Sequence, residues 1–192
     1  LEIIKGLHFK PMLGYRLTLG RSKSFIKDIQ YYNWRTGDPT FYQGPNALTA
    51  FNVDNSVITL QALLQYDKNI GKHDLRLLGG YSQEYTSYNY LRGYRKNFLN
   101  NSLSELNTGP IDGQQASGSS SEIALESVFG RLNYSFNDRY LFEANIRYDG
   151  SSRFAKENRW GTFPSFSAGW RISEEDFFSP LRNVFSELKV RG

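Results

Sequence analysis

The strongest constraint in this sequence is a two-residue periodicity in two consecutive segments, residues 127–136 and 140–149, on either side of Asn137-Asp138. In the first, Val128, Gly130, Leu132, Tyr134 and Phe136 share one face, while Arg131, Asn133 and Ser135 share the other with Phe129. In the second, Tyr140, Phe142, Ala144, Ile146 and Tyr148 oppose Glu143, Asn145, Arg147 and Asp149. Period two marks a strand, because successive side chains point to opposite sides of a pleated backbone. The apolar face begins and ends in aromatics while the other carries full charges, as in a strand standing between lipid and a wet lumen. Leu132, Tyr134, Phe136, Tyr140, Phe142, Ala144, Ile146 and Tyr148 are therefore expected to face lipid, and Arg131, Asn133, Glu143, Asn145 and Arg147 to face the lumen.

Composition enters because a soluble sheet can alternate too. With 39% hydrophobic and 22% charged residues the chain is that of a folded protein. Aromatics make up 16%, mostly 14 Phe and 13 Tyr, which suits a girdled barrel or a ring-stacking surface for sugars. No apolar run reaches the ~18 residues of a membrane-crossing helix. A mean hydropathy of −0.54 looks soluble, yet half of every barrel strand faces water, so the average does not discriminate. The absence of cysteine removes disulfides, thiolate metal sites and a Cys nucleophile. The net charge of +4 is scattered, and its densest group, Arg92, Arg95 and Lys96, reads as a solvated loop; no nucleic-acid partner is expected. The sequence starts at Leu1 without an initiator Met or signal peptide and stops at Gly192 after a strand-like run, as an excised piece would.

Patterning predicts seven strands, near residues 7–19, 56–66, 73–85, 127–136, 140–149, 163–172 and 187–191. The connections between them alternate: long at 20–55 and 86–126, tight at 69–72 and 137–139, then 150–162 and 173–186. In an up-and-down antiparallel sheet every second connection lies on the same edge, so one edge carries short turns and the other long loops. The fold expected is all-β: an up-and-down antiparallel transmembrane β-barrel segment, about seven strands of a larger barrel, with long extracellular loops and short periplasmic turns. The connection at 173–186 is long for its edge. Ser173 followed by Asp176 resembles a helix start, with Phe177, Phe178 and Leu181 packing one short turn before Pro180 limits it. Residues 97–121, with the run Ser117-Gly118-Ser119-Ser120-Ser121, read as a mobile loop.

Catalytic chemistry finds no support. His8 and His73 lie in different strands without a second ligand at metal-site spacing. Glu174, Glu175 and Asp176 crowd one turn and cannot flank a glycosidic bond; they read as a solvated acidic turn. No phosphate loop and no nucleophile elbow occur. The chain is expected to be no enzyme, with no catalytic residue, metal site or cofactor. Two features can bind ligand. One is a set of aromatics on the long-loop side, Tyr31, Tyr32, Trp34, Phe41, Tyr42, Tyr85, Tyr88, Tyr90 and Tyr94, which can stack on saccharides, clasp a partner or pack the loops together. The other is Asp149, Gly150, Ser151, Ser152, Arg153 and Phe154, followed by Arg159 and Trp160, which reads as a structural turn: Gly150 permitting a positive φ, Asp149 bonding the next amides, and Arg153 pairing with Asp149.

These residues carry a resemblance. The strings Gly130-Arg-Leu-Asn-Tyr-Ser-Phe-Asn-Asp-Arg-Tyr140, Arg147-Tyr-Asp-Gly-Ser-Ser-Arg-Phe154, Asn158-Arg-Trp-Gly161, Phe163-Pro-Ser-Phe-Ser-Ala-Gly-Trp-Arg-Ile-Ser-Glu-Glu175 and Leu188-Lys-Val-Arg191 closely resemble the SusC/RagA family, the TonB-dependent outer-membrane transporters of Bacteroidetes. Gln65-Tyr-Asp-Lys68 and Gly71-Lys-His-Asp-Leu75 through Gly80-Tyr81 agree more weakly. The resemblance implies that residues 1–192 are part of one barrel domain, a slice of a twenty-two-stranded wall without its plug domain and TonB box. It also implies location in the Gram-negative outer membrane and import of glycans (oligosaccharides) or peptides. The partners implied are a SusD-like surface lipoprotein, the TonB-ExbB-ExbD complex reached through the missing N-terminal part, and outer-membrane lipid. Asp149 to Phe154 then form a family-signature turn, Asn137-Asp138 sits at the periplasmic edge, and ligand contacts belong to variable loops. Two rivals stand beside this reading: a soluble all-β carbohydrate-binding module and an outer-membrane barrel that is purely structural.

Overall fold

The computed structural model describes residues 1–181 and 184–192. Ten strands follow one another: β1 (Glu2–Ile4), β2 (Leu7–Ile26), β3 (Ile29–Tyr32), β4 (Pro39–Gln43), β5 (Ala47–Ile70), β6 (His73–Lys96), β7 (Gln115–Phe136), β8 (Tyr140–Ser151), β9 (Trp160–Arg171) and β10 (Lys189–Arg191). Eight form one sheet in the order β1-β2-β5-β6-β7-β8-β9-β10, and β3 with β4 forms a separate hairpin. The large sheet is an open, antiparallel, up-and-down slice of a barrel wall. One sheet with both faces bare is not a sandwich, which needs a second sheet to cover the first. Leu13, Phe166 and Ile146 are 76%, 71% and 54% exposed on this one sheet, which is not the two-sheet sandwich of the soluble-module alternative.

All seven predicted strands exist, and six of them are longer than expected. β5 and β6 run for 24 residues each and β7 for 22. The run Ser117 to Ser121, read as mobile loop, lies inside β7. Its polarity misled because a strand exposed on both faces needs no apolar alternation; its ladder bonds suffice. Gly118 shows how close that pairing is: a Cβ there would stand 2.9 Å from the Tyr90 carbonyl oxygen. Likewise, the long connection expected at 20–55 is largely strand plus the β3–β4 hairpin.

The chain divides into two compact units. The first comprises residues 1–15, 58–85 and 123–192, and holds β1, β8, β9 and β10 with parts of β2, β5, β6 and β7. Its turns follow local chemistry. Between β7 and β8, Asn137 and Asp138 take φ of 50° and 53°, the left-handed region that these two side chains tolerate, and the Arg139 amide closes the turn on the Phe136 carbonyl at 3.0 Å. Between β5 and β6, Gly71 turns at φ 61°. The connection from β9 to β10 contains two 3-10 turns, Ile172–Glu174 and Asp176–Leu181. The short helical element is therefore present, but Ser173 is not its cap: it lies inside the first turn, and Pro180 lies inside the second. Of the three residues expected to pack there, Phe178 is buried, whereas Phe177 and Leu181 are exposed.

The second unit, residues 16–57 and 86–122, has a small core of its own: Ala47, Leu48, Val57 and Phe98, with Phe25 edge-on to Phe98 at 5.3 Å. Asn46, 2% exposed, ties this core together. Its Oδ1 accepts from the Phe98 amide at 2.6 Å, and its Nδ2 donates to the Phe98 carbonyl at 3.1 Å and to Asn101 at 3.3 Å. Asn101 in turn donates to the Asp28 carbonyl at 2.9 Å. Asp28 and Asn46 are the residues that flank the β3–β4 hairpin, so the base of that hairpin is fixed by buried hydrogen bonds.

Candidate functional site

The register of β7, β8 and β9 sorts their side chains into two faces. Leu132 lies opposite Ala144, Tyr134 opposite Phe142, and Phe136 opposite Tyr140. β9 extends the same face, with Trp170 opposite Tyr140, Phe166 opposite Ala144, Pro164 opposite Ile146 and Thr162 opposite Tyr148. Arg131 lies opposite Asn145, Asn133 opposite Glu143 and Phe129 opposite Arg147, all on the other face. The eight apolar residues singled out from sequence thus stand together on one face, and the five polar ones on the other. Because the period is two, a slip of one residue in either pairing would have mixed them.

The polar face is cross-linked. Arg131 donates to Asn145 at 2.7 Å, and Asn145 donates to Glu143 at 2.8 Å. Arg147 pairs with Asp149 at 3.0 Å and lies 4.8 Å above the Phe129 ring. Phe129, the apolar exception on this face, lies where Gly80 leaves room: a Cβ on Gly80 would meet its ring at 2.4 Å. Further along, Lys10 donates to Gln65 at 2.8 Å, Gln65 to Asp67 at 2.6 Å, and Arg76 to Asp67 at 2.7 Å. These bonds place alternate residues of β2, β5 and β6 on a common face as well. A groove of about 270 Å³ lined by Asp74, Arg76, Asn133, Glu143, Lys189 and Arg191 lies near the short turns.

The apolar face ends in rings at both edges. Near the short turns, His73 bonds the Tyr134 hydroxyl at 2.7 Å and lies 4.9 Å from Phe136; Phe136, Tyr140, Trp170 and Phe177 then succeed one another at 6.4 to 6.5 Å. At the opposite edge Tyr148 stacks on Trp160 at 4.8 Å and 15°. Between them β7, β8 and β9 present Gly130, Leu132, Ala144, Ile146, Pro164 and Phe166, with no charge.

One carboxylate stands beside the first row. Glu175, 9% exposed, accepts from the Tyr140 hydroxyl at 2.7 Å, from the Trp170 indole at 3.1 Å and from Arg139 at 2.8 Å; Arg139 also pairs with Asp176 at 3.0 Å. The Tyr140 and Trp170 hydrogen bonds, with the Arg139 charge, outweigh desolvation and hold the Glu175 carboxyl below the ordinary carboxylate range. The triplet Glu174-Glu175-Asp176 is therefore not simply solvated. Of its partners only Trp170 is local, five residues away; Tyr140 and Arg139 lie 35 and 36 residues away.

The signature turn is structural, by other means than expected. Gly150 does not adopt a positive φ; it gives space to Trp160, whose ring a Cβ would meet at 2.8 Å. Asp149 pairs with Arg147 rather than Arg153, because both project from one face of β8 two residues apart. The turn is tied by the Ser151 amide to the Arg159 carbonyl at 3.0 Å, the Ser152 amide to the Ala124 carbonyl at 2.9 Å, and the Ala124 amide to the Ser152 hydroxyl at 2.9 Å. Arg159 donates to the Phe154 carbonyl at 3.2 Å, and the Arg153 amide to the Ser151 hydroxyl at 3.3 Å.

The loop aromatics fall into two groups. Tyr31 and Tyr32 belong to β3, Phe41 and Tyr42 to β4, and Trp34 to the turn between them. Tyr31 pairs across from Phe41, with ring centroids 5.7 Å apart, while Tyr42 pairs with Gln30 on the other face. Trp34 is 85% exposed, with the Arg35 guanidinium 4.8 Å from its ring. Tyr85, Tyr88, Tyr90 and Tyr94 are not loop residues: all four lie within β6. Tyr90 lies 5.4 Å from Phe51 and bonds Ser117 at 3.2 Å, so it serves strand packing.

Among the described residues no group of His, Asp and Glu is arranged to hold a metal ion. Residues 8–185 match the family described as TonB dependent receptor-like, beta-barrel. The chain is 38% identical over 162 residues to the TonB-dependent receptor SusC of Bacteroides thetaiotaomicron, covering 84% of this chain and 14% of that protein. It is 32% identical over 185 residues to TonB-dependent receptor P3 of Formosa agariphila, covering 95% of this chain and 18% of that one. The chain therefore spans less than a fifth of the length of these relatives. Its fold superposes on the RagAB peptide transporter with a TM-score of 0.78 over 92% of this chain and 19% of that one, at 24% identity. One bare face between two rows of rings, one hydrogen-bonded polar face, and the family match agree: the chain belongs to the TonB-dependent receptor β-barrel family of outer-membrane proteins, as a partial barrel of the SusC/RagA type.

Proposed function

We propose that this chain is part of the barrel wall of an outer-membrane nutrient importer, with residues 1–192 contributing to one barrel domain. The observation that carries the reading is the spacing of the two aromatic rows. Trp160 and Trp170 mark opposite edges of β9, ten residue steps apart. Ten steps cover about 33 Å along a strand, or about 25 Å across the membrane after a tilt of ~40°, which equals the apolar band of an outer-membrane barrel. On this reading Leu132, Tyr134, Phe136, Tyr140, Phe142, Ala144, Ile146 and Tyr148 meet lipid, and Arg131, Asn133, Glu143, Asn145 and Arg147 line the lumen. The Asn137-Asp138 turn is periplasmic and the Asp149 to Phe154 turn external.

The cargo is a glycan (oligosaccharide) or a peptide, delivered with a SusD-like surface lipoprotein and driven by TonB-ExbB-ExbD. The exposed rings of the β3–β4 hairpin, Trp34 foremost, are the residues of this chain proposed to contact cargo or lipoprotein, since a fixed hairpin presents them at little entropic cost. Cells lacking the full-length protein should lose uptake of a labelled oligosaccharide or peptide mixture that a proton-gradient collapse also abolishes. The wild-type gene should restore it and a gene carrying Ile146→Arg should not. Uptake that survives deletion, or that ignores the gradient, overturns the import reading and favours a barrel that is purely structural.

A further inference from the structure

The connection between β9 and β10 is long for a short-turn edge, and its side chains are divided. Phe178 is buried at 4%, while Phe177, Leu181, Val184 and Phe185 are 65%, 49%, 75% and 55% exposed. Four apolar side chains in one nine-residue stretch are more than a solvated turn needs. The start of the connection is held in place. Arg139 and Tyr140 bind Glu175, the Arg171 amide donates to the Arg139 carbonyl at 2.8 Å, and the Ser173 amide donates to the Leu188 carbonyl at 3.1 Å. Phe177 stands 6.5 Å from Trp170 at 61°, which makes it the next ring of the row that bounds the apolar face.

We propose that this connection is an interfacial foot, resting its exposed apolar side chains in the headgroup boundary of a phospholipid surface. The proposal rests on the lipid reading of the apolar face, with which Phe177 is continuous. An interfacial segment needs an apolar side at headgroup depth, polar groups towards water, and an anchor that fixes its angle. Phe177, Leu181, Val184 and Phe185 supply the first, Glu174 and Asp176 the second, and the Arg139-Glu175-Tyr140 cluster the third. Asp176, whose side chain is 95% exposed, is held to the anchor by Arg139 at 3.0 Å.

The test places single nitroxide labels in the full-length transporter reconstituted in phosphatidylcholine nanodiscs, at Phe177→Cys and Phe185→Cys in the foot. Ile146→Cys serves as the lipid control and Asn145→Cys as the lumen control. Collision with oxygen and with a water-soluble nickel chelate reads the depth of each label. The two foot labels should read between the controls. Foot labels as wet as Asn145→Cys, with Ile146→Cys in lipid, overturn the foot and leave the lipid face standing. Foot labels shielded from both reagents show a covering protein segment and overturn it too. A wet Ile146→Cys label removes the lipid face and the foot together.

Discussion

On the odd-numbered face of β7, β8 and β9 the long polar side chains reach one another across the ladder, whereas the rings and branched carbons of the even-numbered face carry no charge between the two aromatic rows. The two faces belong to the same residues of backbone and differ only in parity. What the difference teaches is which solvent each face tolerates. Arg131, Asn145 and Glu143 can exchange their bonds for water at small net cost, because folding replaces one set of hydrogen bonds with another. Ile146 and Phe166 are 54% and 71% exposed, and on the proposed reading they meet lipid.

The comparison breaks most sharply at mid-strand. Ile146→Arg, or Leu132→Arg opposite Ala144, should cost about 2–4 kcal/mol of folding free energy in lipid, as for cationic residues near a bilayer midplane. Asn145→Ala, one residue away and on the other face, should cost about 1 kcal/mol, since Arg131 and Glu143 each lose one partner but stay within reach of water. Urea titration of the full-length barrel in lipid vesicles measures both. Equal losses would falsify the assignment of the faces.

Parity was readable in the sequence because alternation survives wherever one face is dry. In residues 127–149 it gave the strands, their faces and the turn at Asn137-Asp138 without help from tertiary structure. Further out the signal fades for a physical reason. The first residues of β7 are exposed on both faces, so Ser117 to Ser121 looked like loop, and Tyr85, Tyr88, Tyr90 and Tyr94 were assigned to a long connection that begins only after Lys96. The β3–β4 hairpin carries only a short alternation, and its anchor at Asn46 depends on Phe98 and Asn101, more than fifty residues away. Glu175 is the same case: a triplet of acids reads as solvated until Tyr140 and Trp170 are known to lie above it.

A second break sharpens the polar face alone. Gly80→Val would put carbon where the Phe129 ring stands, 2.4 Å from a Cβ, with Leu63 at 2.9 Å behind it. Overpacking of this kind costs about 1–3 kcal/mol. It should also displace Phe129 from under Arg147, so the double change Gly80→Val with Phe129→Ala should recover part of the loss in the same urea titration. No recovery would mean that Gly80 serves the backbone and not the ring.

The smallest effect is expected where the two faces meet, at Glu175. Its carboxyl is held below the ordinary range first by the Tyr140 hydroxyl and then by the Trp170 indole, with Arg139 adding charge. A depressed folded value means that the unfolded chain takes up the proton first. The contribution is therefore fully present above the unfolded value of about 4.3 and is lost as pH falls through the lower folded value. Glu175→Gln keeps the shape and removes the charge. The difference in thermal midpoint between wild type and this variant, measured on the full-length barrel in neutral lipid, should be constant from neutral pH down to about 4.5 and should shrink below it. A difference that persists unchanged at lower pH would show that the variant acts through packing, and that the carboxylate charge does not hold this connection against the aromatic row.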